Sequence, residues 1–374
     1  MKTLIIGPAY PLRGGIASFN ESLCRSLNAQ GINAEILSFS LQYPSLLFPG
    51  KTQYESGPGP KDIKITTMIN SINPLSWIRA VRFIKKTKPD FVIIRYWIPF
   101  MAPCLGAIAR AIRKKIKVVV IADNVIPHEK RFGDTALTRY FINSCDAFIA
   151  MSNSVIDELK LFTNTAHISF LPHPIYDIYG EKVPKKDALN ELGLNPLDKH
   201  ILFFGFIRKY KGLDILLEAM GKKSIVDLGV KLIIAGEFYE DRVFYENLIN
   251  KYNLEDLIIM NSGFIPAERV KYYFCAADIV VQPYRSASQS GITQIAYNFE
   301  RPMLVTNTGG LAETVPHGQV GYVIEPDPVS IADAISDFYL NQRENKFQQN
   351  AAELKGRFSW KYFVDGLMKL ALNL

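Results

Sequence analysis

Cysteine is scarce in this chain, with four in 374 residues, and Cys24, Cys104, Cys145 and Cys275 lie far apart with no C-x-x-C pair. That spacing excludes a disulfide framework and a thiolate zinc site, and reads as small buried residues of a reducing compartment. No D-x-D triplet occurs, the nearest approach being Glu325-Pro-Asp327, so the carboxylate pair of metal-dependent sugar transfer is missing. No G-x-G-x-x-G follows the first strand, and the second ends at Ser40 with no acid for a ribose hydroxyl, which argues against a dinucleotide oxidoreductase. Uninterrupted apolar runs are too short to cross a bilayer. The opening MKTLIIGPAYP, broken by Gly7 and Pro8, reads as a strand and not a signal peptide. Together these point to a cytoplasmic protein, peripheral on the inner face of the membrane at most.

What is present is an ordinary globular balance, 48% hydrophobic and 21% charged, in a length that favours two domains. The net charge of +7 is unevenly spread. Residues 1–175 carry 21 Lys and Arg against 11 Asp and Glu, and residues 176–374 carry 22 against 25. The basic excess gathers in Arg79, Arg82, Lys85, Lys86 and Lys88, then in Arg110, Arg113, Lys114, Lys115 and Lys117. Such runs are either solvated helix ends or a face for an anionic acceptor or anionic lipid. No nucleic-acid module accompanies them.

Short apolar runs alternate with helical stretches. TLIIG (3–7), AEILSF (34–39), DFVIIRYW (90–97), KVVVIAD (117–123), AFIAMS (147–152) and ISFLP (168–172) predict a first parallel sheet. HILFFGFI (200–207), VKLIIAGE (230–237), LIIMNSGF (257–264), DIVVQPY (278–284), RPMLVTN (301–307) and GYVIEP (321–326) predict a second. The expectation is two Rossmann-like, doubly wound α/β domains facing a central cleft: 1–176, then 177–357 entered through a polar linker over 177–199. A closing helix, 358–374, follows the second sheet.

Three turns carry candidate chemistry. Gly14-Gly15 precedes a helix whose bare amides suit an anion. Gly205-Phe-Ile-Arg208-Lys-Tyr-Lys211-Gly212 puts two cations at a strand end, where they can hold a diphosphate. Ser286-Ala-Ser288-Gln289-Ser290-Gly291-Ile292-Thr293-Gln294 opens another helix with small residues, either an ordinary cap or a phosphate site.

These segments, with Gly-Gly-Ile-Ala at 14–17, AADIVVQPY at 276–284 and TGGLAETV at 308–315, resemble the retaining family 4 glycosyltransferases of the GT-B superfamily, which assemble bacterial glycans. The resemblance spans nearly the whole chain in the family's order. It implies a nucleoside-diphosphate-sugar donor, a glycan or lipid-linked acceptor on the N-terminal domain, and no metal cofactor. Arg208 and Lys211 would grip the diphosphate, the amides near Ser290, Gly291 and Ile292 would meet phosphate, and Gly14 and Gly15 would close the site from the other domain. Gly205, Phe264 and Ile265 would line the donor, the last two against the nucleobase. The closing helix would return to the N-terminal domain.

Two departures stand out. The family's two glutamates, eight positions apart, are replaced by Ala287 and Ile295, leaving Ser288, Gln289 and Gln294 as polar substitutes. Asp123 occupies a place where many relatives have histidine, with His128 on the loop beyond as a proton carrier. The missing carboxylates keep open a non-catalytic relative that binds a nucleotide sugar or a partner.

Overall fold

The computed structural model describes residues 1–44, 52–55, 57–127, 131–165, 167–176, 178–287 and 290–374. It divides into two compact units, Met1–His173 with Trp360–Leu374, and Pro174–Ser359.

Unit 1 runs β1 (Lys2–Ile6), α1 (Gly15–Ala29), β2 (Asn33–Leu41), β3 (Ile65–Asn70), α2 (Pro74–Thr87), β4 (Phe91–Tyr96), α3 (Ala102–Ile112), β5 (Lys117–Ala122), α4 (Asp134–Ile142), β6 (Ala147–Ala150), α5 (Asn153–Lys160) and β7 (Ile168–Phe170). Its parallel sheet has the order β3-β2-β1-β4-β5-β6-β7. Every residue of β4 is buried, because helices cover both faces of the sheet, and this accounts for its near-continuous apolar run.

Unit 2 runs α6 (Lys185–Leu192), β8 (Lys199–Phe204), α7 (Leu213–Met220), α8 (Lys223–Val226), β9 (Val230–Ala235), α9 (Arg242–Lys251), β10 (Ile258–Asn261), α10 (Ala267–Ala276), β11 (Ile279–Gln282), α11 (Gly291–Asn298), β12 (Met303–Thr306), α12 (Leu311–Thr314), β13 (Gly321–Ile324), α13 (Pro328–Leu340) and α14 (Glu344–Leu354). Its order is β10-β9-β8-β11-β12-β13. In both sheets the winding reverses once, between β1 and β4 and between β8 and β11, and ligands of such sheets bind outside the strand ends at these reversals.

The expected polar linker is in part a helix. α6 packs on α10, burying Ala188 and Leu189, so Gly180 and Pro184 punctuate an entry shorter than 177–199. The boundary falls at 173/174, earlier than 176/177. Ile175 N–H donates to Phe358 C=O at 2.9 Å, and Tyr176 lies under Gly291, which ties this segment to unit 2.

The closing helix α15 (Trp360–Leu372) joins unit 1. Phe19 of α1 meets Trp360 and Phe363 with ring centroids 5.0 and 5.6 Å apart. Gly366 allows the approach, since a Cβ there would stand 2.3 Å from Leu171. His173 packs edge-on against Phe19 at 5.0 Å. All four cysteines are free and buried, and burial pushes the thiols of Cys24 and Cys104 up to about 12.

At the amino edge of the second sheet, Asp278 accepts from His200 N–H and from the Tyr339 hydroxyl, both at 2.8 Å, and is ion-paired with Lys185. The His200 side chain is fully buried, and neither ring nitrogen has a hydrogen-bond partner among the described residues. Burial lowers its pKa against the opposing pull of Asp278. The unfolded chain takes up a proton below about pH 6.5 that the folded one resists. This contribution is therefore complete above that pH and is lost on acidification. Urea unfolding at neutral pH and near pH 5 should show a steeper loss in the parent than in His200→Leu, and equal losses would refute the assignment.

Candidate functional site

The carboxyl ends of β8 and β11 lie side by side at the reversal in unit 2. Gly205 follows the end of β8; its φ of 97° favours glycine and its N–H donates to Ala235 C=O at 2.9 Å. A tight turn over Lys209–Lys211 follows, closed by Gly212 at φ 68°. A Cβ on Gly212 would come within 2.0 Å of Pro283 C=O, so glycine lets this turn press against the loop after β11. Arg285 braces the contact through an ion pair with Asp214 at 2.6 Å and a hydrogen bond to Lys209 C=O at 2.8 Å.

This packing places Lys211 out of water, 8% exposed, with its ammonium 5.5 Å from the centre of the Tyr284 ring. Gly205 and Ile292 bound the same space, since a Cβ on Gly205 would lie 3.1 Å from Lys211 Nζ and 3.4 Å from Ile292. Among the described residues no carboxylate pairs with Lys211. Burial, reinforced by Arg208, lowers its pKa to about 8, so it remains largely charged at neutral pH. Arg208 is half-buried, its guanidinium 4.9 Å above Tyr239, which stacks on Phe206 at 4.6 Å. Among the described residues, two cations without a carboxylate partner thus share one strand-end turn, an arrangement suited to the oxygens of a diphosphate.

At the start of α11, Ser290 caps the helix by accepting from Ile292 N–H at 3.2 Å. One of the amides expected to meet phosphate is therefore engaged internally. Tyr284 hydroxyl lies 3.4 Å from Ser290 Oγ, linking the cap to the ring beside Lys211. A Cβ on Gly291 would stand 3.1 Å from Tyr176. Gln294 is buried with Oε1 unpartnered among the described residues, and so is Gln282 with Nε2. Ala287 and Ile295 are both buried, so the expected carboxylate positions are apolar. Phe264 is exposed and Ile265 half-buried; they follow edge strand β10, two strands from β8. Ser288, Gln289 and His128 lie outside the described residues.

In unit 1, Gly14 caps α1 at φ 119° with no side-chain capping bond, and Gly15 is the first helical residue. Asp123 follows β5, and both of its carboxylate oxygens accept from Arg95, with Nε to Oδ2 at 2.6 Å. Burial pushes the Asp123 carboxyl upward while Arg95 opposes it. Arg95 is 2% exposed and lies 3.8 Å over Phe19. The sequence reading missed Arg95, and its one signal was a lone cation in the otherwise apolar run DFVIIRYW. Among the described residues no cluster of three His, Cys, Asp or Glu is arranged to hold a metal.

Residues 184–354 match the family described as Glycosyl transferases group 1, and residues 13–176 match Glycosyltransferase Family 4. A D-inositol 3-phosphate glycosyltransferase of Segniliparus rotundus is 30% identical over 190 residues, 49% of this chain and 42% of that protein. The chain thus spans under half the length of that relative. An O-antigen chain mannosyltransferase C of Escherichia coli is 24% identical over 371 residues, 96% of this chain and 94% of that one. Among solved structures, Anabaena HepE in complex with UDP shares the fold with a TM-score of 0.76 at 16% identity, covering 100% of both chains. The two family matches, one on each parallel-sheet unit, establish that the chain belongs to the family 4 glycosyltransferases of GT-B architecture.

Proposed function

We propose that this protein transfers a sugar from a nucleoside-diphosphate sugar to a glycan or lipid-linked acceptor, with retention at the anomeric carbon and without a metal ion. The observation that carries the reading is the buried, un-neutralised ammonium of Lys211 beside Arg208 at the β8/β11 reversal. A departing diphosphate gathers negative charge, and fixed cations in a dry turn stabilise it without reorganisation. The bound UDP of the structurally similar Anabaena protein supports such a donor. Gly205, Ile292 and Gln294 would border the donor, and Phe264 and Ile265 its base. Gly14, Gly15 and the Arg95–Asp123 pair would serve unit 1, Asp123 as a residue held in position and not as a free base.

Replacing Arg208 or Lys211 with Ala should weaken nucleoside-diphosphate binding by about 1.5–3 kcal/mol, as for a charge-assisted hydrogen bond. Lys211 also sets a pH dependence. The free protein loses the proton above about 8, whereas a bound diphosphate holds it. Affinity should be level below that pH and fall above it, approaching about tenfold per pH unit. Calorimetry checks both, and Lys211→Arg should remove the alkaline fall. An affinity unmoved in both alanine variants would take these residues out of the site.

Transfer from a panel of UDP-, GDP- and ADP-sugars should proceed in excess chelator. Activity abolished by chelator and restored by magnesium would overturn metal independence, and binding without transfer from any donor would favour the non-catalytic reading.

The reading also includes a weak contact with anionic lipid, for a lipid-linked acceptor. No described helix is long and apolar enough to cross a membrane. On α2, Trp77, Val81 and Ile84 turn toward the core, contrary to a lipid-facing role for that side. Ile72, Leu75 and Ile78 are exposed instead, beside exposed Arg79, Arg82, Lys85, Lys86 and Lys88. In the second basic run, Arg113 pairs with Asp146 and Arg110 lies over Tyr140, leaving Lys114, Lys115 and Lys117 exposed. Each cation near such a surface contributes about 1 kcal/mol. Co-sedimentation with anionic vesicles should occur at low salt and fade at high salt, and failure at low salt would leave α2 merely solvated.

A further inference from the structure

We propose that a second pocket in unit 1, between the loop after β5, α4 and the end of α5, binds a phosphate group carried on an apolar chain. The cavity is about 240 Å³ and its lining combines the exposed Arg131, Arg139 and Thr135 with the apolar Ile126, Leu161 and Phe162. That volume accommodates a headgroup and the first carbons of a chain, and is too small for a whole nucleotide sugar.

The charged part of the lining carries two guanidiniums and one carboxylate, Asp134. Asp134 accepts from the Arg131 backbone N–H at 2.8 Å, and among the described residues neither arginine is ion-paired with a carboxylate. Arg139 instead rests 6.0 Å over the Phe162 ring, which holds its guanidinium against the apolar lining. Unpaired planar forks with a nearby hydroxyl match phosphate oxygens.

Part of the apolar lining reaches the surface: Leu161 is 67% exposed. A ligand that is all anion would leave this surface wet, whereas one with an alkyl or prenyl chain covers it.

One wall is preformed. Glu158 of α5 accepts from Val125 and Ile126 N–H at 3.3 and 3.0 Å. Thr138 of α4 is buried, donates to Val125 C=O at 3.4 Å and bonds the Tyr96 hydroxyl at 3.1 Å. Val125 and Ile126 are thus fastened to both helices before any ligand arrives, and less ordering of this wall is needed on binding. Nothing in the donor chemistry of unit 2 uses this pocket. Its place in catalysis, as the seat of a phosphorylated lipid-linked acceptor, rests on the proposed transfer reaction, but the binding itself does not.

Calorimetry with three probes tests it: octyl phosphate below its micelle concentration, inorganic phosphate, and octyl glucoside as the uncharged control. Octyl phosphate should bind about tenfold or more tighter than either other probe, because it alone satisfies both kinds of lining. Arg139→Ala, and separately the exposed Arg131→Ala, should each weaken it several-fold. Leu161→Ser should weaken octyl phosphate and leave inorganic phosphate unchanged. Thermal melts establish that each variant is folded. Equal affinity for inorganic and octyl phosphate overturns the amphiphile in favour of a free-phosphate site. Octyl glucoside binding as tightly as octyl phosphate overturns the anionic element, and unchanged affinity in both arginine variants overturns the site. The calorimetry contains no donor sugar, so its failure refutes the pocket alone, whereas octyl phosphate binding together with no transfer in the donor-panel assay refutes the transferase reading alone.

Discussion

Taking an ammonium out of water costs several kcal/mol unless an opposite charge or a full set of acceptors replaces its hydration. Among the described residues Lys211 meets the face of Tyr284 and no carboxylate, and much of the carboxyl edge of unit 2 is arranged around that exposed cost. Gly205 and Gly212 take left-handed backbone so that the turn fits against Pro283. The neighbouring carboxylates are occupied elsewhere: Asp214 by Arg285, and Glu240 by Lys209 N–H and the Tyr245 hydroxyl. Asp214 and Glu240 are thus engaged, and under the proposed function the ammonium would meet an incoming anion. Burial at the expense of stability is common at binding sites, where the ligand supplies the missing partner.

Unit 1 meets the same problem with the opposite solution. Arg95 is as deeply buried, at the corresponding reversal of its sheet, yet Asp123 takes two of its donors and Phe19 stacks on its plane. A neutralised pair of this kind draws an anion weakly and holds geometry well. The two units therefore differ in electrostatics: among the described residues, a buried lysine without a carboxylate in unit 2 and a buried arginine–aspartate ion pair in unit 1. The same pair connects to the closing helix, because Phe19 also carries Trp360 and Phe363. Detaching α15 would loosen the ring on which Arg95 rests.

Most of the fold was legible because parallel strands covered on both faces must be apolar throughout. β4 and β9 announce themselves for that reason. β3, Ile-Thr-Thr-Met-Ile-Asn, did not, since it is an edge strand in which only Ile69 is buried, and Thr66, Thr67 and Asn70 break any apolar run. α6 was hidden in a lysine-rich segment with only a narrow buried stripe, Ala188 and Leu189, and α13 and α14 follow the last strand, where no alternation of strand and helix called for them. The cationic turn at 208–211 was legible because its charges sit beside glycines at a strand end. Arg95 was not, because a residue inside a strand reveals its partner only when the next strand is laid beside it, and Asp123 lies 28 residues on. The pocket arginines were equally opaque: Arg131 and Arg139 converge with Leu161 through a loop and two helices, not through any local pattern.

The absent glutamates gain a physical meaning from these arrangements. Ile295 and Ala287 are packed into the interior, so a carboxylate at either place would be desolvated and would have to find a cation. Lys211 and Ile292, one turn before Ile295 on α11, both border Gly205. Gln282 and Gln294 are neutral, buried, and each holds an amide atom without a partner among the described residues, so they offer hydrogen bonds without lowering the local positive potential. Under the proposed function, a site built on amides and cations would keep its full attraction for a diphosphate, and recognition of the sugar hydroxyls would fall to groups that both donate and accept, which discriminate by geometry more than by charge.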